Sequence, residues 1–361
     1  LGFSPLGLIS ESIQAWMGSF VEGKSSIIKY NDIVSYLKTN LTRTDKEFNE
    51  KMEWVSNQFI MESFLKGGVE NNKFMEQALW FYKAPNDIFN KAYLYSFLKN
   101  KEYNGKPLWD QIEKRDGEYV WSEDSNMVKD NEFTDNKYTY QEEFRLILRK
   151  TRERQQSTDP IQSHKTFWGR LLNQFKGTWL YEGFYYRYGK GTDVYLGKVD
   201  GETQYKNTEG FYRTAFNYLS TPGEEQTDLL GNVTLKEVNN FKRTLQTIGS
   251  LIKMASWDKI MGNDYTRDNE LSPEVKDNIK KAVADIQLKL MIGMILTSFI
   301  ILGGDDKRKK KEAGTLYKLC FNTLVRVNSD ATIYSSPASF MNIIKNAIPV
   351  LSTVKQINTL F

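Results

Sequence analysis

The sequence predicts a mainly α protein, one or more multi-helix bundles carrying a small β-hairpin excursion. Three observations point there. Apolar residues recur at helical spacing over most of the 361 residues, helix-start signals precede several of these runs, and one Asp-Gly pair sits between two short β-prone stretches.

Thr44-Asp45-Lys46-Glu47 has a hydroxyl three residues before a glutamate, a spacing at which two side chains can satisfy free backbone N–H groups at a helix start. Phe48, Met52, Val55 and Phe59 follow on one face, and the run should stop at Gly67-Gly68. Residues 72–82 and 86–98 read as two helices split by Ala84-Pro85, since proline lacks the N–H that a helix interior requires. Residues 1–99 thus form an N-terminal helical bundle. Residues 100–136 read as a polar connector, interrupted by Asn104-Gly105 and Asp116-Gly117, with Tyr119-Val120-Trp121 as a short strand.

Helix is expected again over 140–156 and 165–175, separated by Asp159-Pro160. Asp200-Gly201, within VYLGKVDGETQY, suits the positive φ angles of a tight hairpin turn near residues 193–206. Residues 137–232 form the segment that holds this hairpin and an aromatic-basic block. In the last segment, 233–361, Thr234-Leu235-Lys236-Glu237 reads as a second capping box opening a helix to about residue 256. Ser272-Pro273-Glu274 opens another, apolar helix over 273–302, which at about 1.5 Å per residue is roughly 45 Å long. An amphipathic tail follows. No fixed-period repeat occurs.

With 40% hydrophobic and 14% aromatic residues, there is ample material for a core despite a mean hydropathy of -0.54. The net charge of +4 is too small for a protein that coats nucleic acid. Cys320, the single cysteine, excludes a disulfide framework within this chain and any multi-cysteine metal site. The single histidine, His164, has no second ligand or catalytic partner near it in sequence. Leu1 in place of methionine is expected of a processed product or of part of a longer protein, and LGFSPLGLIS lacks the basic start of a secretory signal.

No phosphate-loop, nucleophile-elbow or H-E-x-x-H motif occurs, and Gly189-Lys190-Gly191-Thr192 lacks the phosphate-loop spacing. Glu142 and Glu143, adjacent on a helix, point apart. No catalytic residue, cofactor or metal is therefore expected.

Two stretches stand out as interaction candidates. LMIGMILTSFIILGG (290–304) is uncharged and precedes Lys307, Arg308, Lys309, Lys310 and Lys311. About 20 apolar residues are needed to span a bilayer, so length favours a buried helix. The basic run leaves open membrane contact by Leu290, Met291, Ile292, Met294, Ile295, Leu296, Phe299, Ile300, Ile301 and Leu302. Arg145, Arg149 and Arg152 lie on one helix face and could track phosphates, with Glu142, Glu143 and Glu153 as counter-charges on a solvated helix. Phe167, Trp168, Phe175, Trp179, Tyr181, Phe184, Tyr185, Tyr186 and Tyr188 alternate with basic residues; core packing is the expected use, stacking on single-stranded nucleic acid the alternative.

Three blocks, in this order, resemble the C-terminal parts of very large virion proteins of tailed bacteriophages, in particular internal or ejected cargo proteins of crAss-like short-tailed phages. They are FWGRLLNQFKGTWLYEGFYYRYG (167–189), LMIGMILTSFIILGGDDKRKKKE (290–312) and RVNSDATIYSSPASFMNIIKNAIP (326–349), the last with Asp330 where a glutamate is expected. The resemblance covers most of residues 140–361. It implies a non-enzymatic protein packaged in the head or tail lumen of the virion and expelled into the host cell. Its partners would be portal, tail or internal virion proteins, phage DNA, and the host membrane after ejection, with no small-molecule substrate. The alternatives are a non-catalytic part of a giant virion enzyme acting on cell wall or nucleic acid, and a membrane-associated helical scaffold. Ejection through a narrow channel requires unfolding and refolding without cross-links, which helices with local contacts suit.

Overall fold

The computed structural model describes residues 5–42, 45–59, 73–127, 134–152, 184–220, 223–227, 233–237, 240–255 and 271–302. The expected helix over 165–175, the stop at Gly67-Gly68, His164, Cys320, Lys307, Arg308, Lys309, Lys310, Lys311 and the tail lie outside them.

Among the described residues the chain is mainly helical, with small antiparallel two-stranded ladders. The elements are α1 (Pro5–Glu22), α2 (Tyr30–Thr42), α3 (Lys46–Phe59), α4 (Lys73–Asn100), β1 (Glu102–Tyr103), β2 (Lys106–Pro107), β3 (Ile112–Arg115) and β4 (Glu118–Trp121). They continue with α5 (Asp135–Arg152), β5 (Asp193–Val199), β6 (Glu202–Asn207), α6 (Phe211–Leu219), β7 (Gly223–Thr227), β8 (Val233–Glu237), α7 (Asn240–Lys253) and α8 (Pro273–Leu302).

Several elements follow the sequence signals closely. The start of α3 is capped by Asp45, whose carboxylate accepts the Phe48 N–H at 2.9 Å, one residue later than the expected Thr44. At the start of α8 the Ser272 hydroxyl accepts the Val275 N–H at 3.4 Å, and Pro273 occupies the first turn. The β5–β6 turn has Asp200 at φ 51° and Gly201 at φ 85°, the two positive angles of a primed hairpin turn.

Other elements differ from the sequence reading. The two helices expected over 72–82 and 86–98 are one helix, α4, running through Pro85. The packing of Ala92, Tyr93, Leu94, Phe97 and Leu98, all fully buried, outweighs the one backbone bond that proline forgoes. Thr234-Leu235-Lys236-Glu237 does not cap a helix but forms strand β8, in register with β7: Glu224 opposite Lys236, Gln226 opposite Thr234. Backbone pairing of the two strands overrides the local capping pattern, and α7 begins only at Asn240. The 100–136 stretch contains two hairpins whose turns, Asn104-Gly105 and Asp116-Gly117, repeat the positive φ angles of Asp200-Gly201.

Two hydrophobic cores organise the molecule. The first is built around α4, with α2, α3, α5 and the β1–β4 stretch, and takes in Tyr36, Phe59, Tyr93, Phe97, Tyr103, Trp121, Tyr140 and Phe144. It draws residues from both sides of positions 100 and 137. The second joins α1, α6, α7 and α8 through Val21, Phe211, Ala215, Leu251, Ala255, Ala282, Val283, Leu288 and Ile292. Helix α1 touches both α4 and α8 and so links the two. The β5–β6 hairpin lies on α5, where Gly197 (φ +135°) comes so close that a Cβ would stand 2.4 Å from the Thr139 hydroxyl.

A candidate interaction site on the last described helix

Helix α8 carries acids and bases at every fourth residue, Asp277, Lys281, Asp285 and Lys289, among small and apolar neighbours. Four-residue steps keep these side chains on one broad face, and that face turns inward. Asp277 accepts hydrogen bonds from the Ser26 N–H (2.8 Å) and hydroxyl (2.7 Å). Lys281 reaches Glu22 at 2.7 Å, and the Tyr186 hydroxyl donates to the other oxygen of the same carboxylate. Asp285 accepts from Lys289 at 2.6 Å and from the Tyr212 hydroxyl at 2.7 Å, while Arg187 approaches its second oxygen at 3.6 Å.

This cluster sets one carboxylate against two cations. Burial pushes the Asp285 carboxyl up, but Lys289 and Arg187 outweigh it and hold the group below the usual aspartate range. Lys289 stands on the other side of that imbalance: burial lowers its pKa, and Asp285, shared with Arg187, offsets this only in part. The Tyr212 hydroxyl is pushed well above its ordinary value, by burial first and then by the Asp285 charge.

A polar cleft of about 700 Å³ separates the two cores. Glu143, Lys101 and Lys206 line it from the first side, and Glu22, Ser26, Asp277 and Lys281 from the second. Glu143 lies between Lys101 (2.7 Å) and Lys206 (2.9 Å); burial alone would raise its pKa, but the two ammonium groups hold it below the glutamate range. Carboxylates held in the charged form this way are poor general acids near neutrality, so the cleft's charges act on each other.

Of the sequence-derived membrane candidates, Ile292 is buried in the second core and Met291 packs against it, whereas Leu290, Met294 and Ile295 are 43%, 62% and 46% exposed. Leu296 is half-buried. Phe299, Ile300, Ile301 and Leu302 continue the helix, their side chains outside the described set. The stretch thus divides: Ile292 is the last described buried side chain, and Met294, Ile295, Thr297 and Ser298 beyond it are exposed. Among the described residues no helix is long and apolar enough to cross a membrane.

Arg145 is half-buried and paired with Glu142 three residues earlier. Arg149 and Arg152 are on α5 with only their backbone described, so the basic stripe falls largely outside the described side chains. At the described end of the aromatic-basic block the rings pack. Tyr186 meets Phe211 edge-on at 5.1 Å, Tyr188 stacks on Tyr212 at 5.3 Å, and Arg187 lies over both Tyr186 and Phe211.

The buried charge face of α8 is not among the candidates read from the sequence. Its signal is the acid–base alternation at four-residue steps, which continues into the part of the helix where the other residues turn apolar. No family model, curated protein or solved structure matches the chain.

Proposed function

We propose that this chain is a non-enzymatic virion protein of a tailed bacteriophage, carried in the head or tail lumen and delivered into the host with the genome. The observation that carries the reading is the makeup of the second core, where small aliphatic packing stands beside buried ion pairs that join α8 to Glu22 and Arg187. A buried ion pair contributes less net stability than well-packed hydrophobic side chains of equal volume, because desolvation offsets most of its Coulomb attraction. Such a core opens at modest cost, and its paired charges guide the same partners back into register. Delivery through a narrow channel needs both properties. Portal, tail or internal virion proteins are the partners this reading assigns, and DNA a further contact.

Mass spectrometry of purified particles tests it, before and after genome release is triggered. The chain should be present in full particles and depleted from emptied ones. Absence from full particles, or full retention after release, would overturn the reading.

A further inference from the structure

Seven large aliphatic side chains are exposed among the described residues, and six of them lie on just two helices: Leu245, Ile248 and Ile252 on α7, and Leu290, Met294 and Ile295 on α8. The two helices pack against each other through the second core. On α7, Leu245, Ile248 and Ile252 fall within an arc of about 60° at 100° per residue, roughly a third of a turn round from the buried Thr247 and Leu251. The apolar surface of this helix is thus wider than the part that faces the core.

Helix α8 leaves the core at Ile292, its last described buried side chain. A Cβ added at Gly293 would meet nothing within 4 Å, and Met294, Ile295, Thr297 and Ser298 are all exposed. Residues 293–302 make a helix end of about 15 Å, half of the roughly 30 Å of a bilayer's hydrocarbon. That is too short to cross a membrane, yet long enough to reach the boundary between headgroups and acyl chains.

The charges that α7 itself carries are all basic. Residues 240–255 contain Lys242, Arg243 and Lys253 and no acid. Lys242 and Lys253 are exposed and fall beside the apolar arc of α7. Helix α8 carries no acid after Asp285, which is paired with the largely buried Lys289, and in sequence Asp305 and Asp306 follow the helix before the five cations Lys307, Arg308, Lys309, Lys310 and Lys311. Exposed aliphatic side chains bordered by cations complement a surface that is apolar below and anionic above.

We infer that the outer face of α7 and the protruding end of α8 form a docking surface for an anionic lipid bilayer. The chain lies on that bilayer without spanning it. The inference uses only this surface and stands apart from the virion reading: particle composition does not bear on it, and vesicle binding does not decide whether the chain is packaged.

Flotation of the full chain with vesicles tests it, using phosphatidylcholine alone and phosphatidylcholine mixed with phosphatidylglycerol. The chain should float with the mixed vesicles and far less with the neutral ones, and added salt should weaken the binding. The variant Ile248→Asp/Met294→Asp changes two exposed side chains, so its far-UV circular dichroism should match the parent while its partitioning falls about tenfold or more. Val34→Asp, at the one exposed aliphatic residue outside this face among those described, should bind as the parent does. Failure to float with mixed vesicles would overturn the inference, as would unchanged binding by the double variant. It would also fall if light scattering showed a dimer that the double variant dissolves while flotation is absent, since the face would then belong to a second copy.

Discussion

The two cores solve the same packing problem with different chemistry. Eight of the twenty buried residues of the first core are aromatic and one is alanine; of the nine in the second, one is aromatic and three are alanines, among the described residues. Large rings bury more apolar area and interlock. Phe59, Phe97 and Phe144, for example, contact one another with ring centroids 5.4–6.4 Å apart. In the second core, Glu22, Lys281, Asp285, Lys289 and Arg187 occupy space that aliphatic groups would otherwise fill. The first core is thus the one held by ring packing. The second combines smaller aliphatic groups with buried charge pairs, and on that ground it is expected to be the weaker of the two.

Substitutions at the two centres should separate these cases. Truncating a fully buried ring of the first core, Phe97→Ala, should cost about 3–5 kcal/mol in chemical denaturation, through lost burial and the cavity left behind. In the second core Asp285→Ala should cost nearly as much, about 3 kcal/mol, because Lys289 and Arg187 would be left buried without their carboxylate. The sign should reverse when all three charges are removed together: Arg187→Met/Asp285→Leu/Lys289→Leu is expected to be neutral or up to about 4 kcal/mol more stable. A large loss in the triple variant would show that the charges stabilise the fold outright, and the distinction between the cores would fail.

Acid should divide the cores as well. The pKa of Asp285 is depressed in the folded state, so its contribution is complete above the ordinary aspartate value of 3.8 and is lost as the pH falls below it through the depressed value. Glu143 behaves alike below 4.5 at the border between the cores. On acidification, NMR signals of α6 and α8 should lose dispersion before those of α4 and α3. A smaller effect is expected where the hairpin meets α5: Gly197→Ala, forced against Thr139, should cost about 1–3 kcal/mol and loosen β5 from α5 without unfolding either core. The smallest is on the surface, where breaking the exposed Lys46–Glu50 pair by Lys46→Ala should change stability by less than about 0.5 kcal/mol.

Elements governed by local chemistry were legible in the sequence. Ser272-Pro273 starts a helix and Asp200-Gly201 turns a hairpin because neighbouring atoms alone decide those conformations. Asn104-Gly105 and Asp116-Gly117 carry the same turn signal, but strands of two to four residues leave too little alternation to reveal a hairpin. Pro85 and Thr234-Leu235-Lys236-Glu237 misled because distant packing and strand pairing outweighed a local rule. The charged face of α8 was hidden for a further reason: charge along a helix reads as solvent-facing until its partners are known. Those partners are remote in sequence, Glu22 lying 259 residues from Lys281 and Tyr212 lying 73 residues from Asp285, and only folding brings them together.

Native-state hydrogen exchange at neutral pH, followed at increasing denaturant, tests the contrast between the cores most directly. Amides of α8 from Ala282 to Ile292 should exchange through an opening of lower free energy than those of α4 from Ala92 to Leu98, with the first core still protected. If both sets merge into one global opening at every denaturant concentration, the cores are a single cooperative unit, which contradicts a second core that opens on its own.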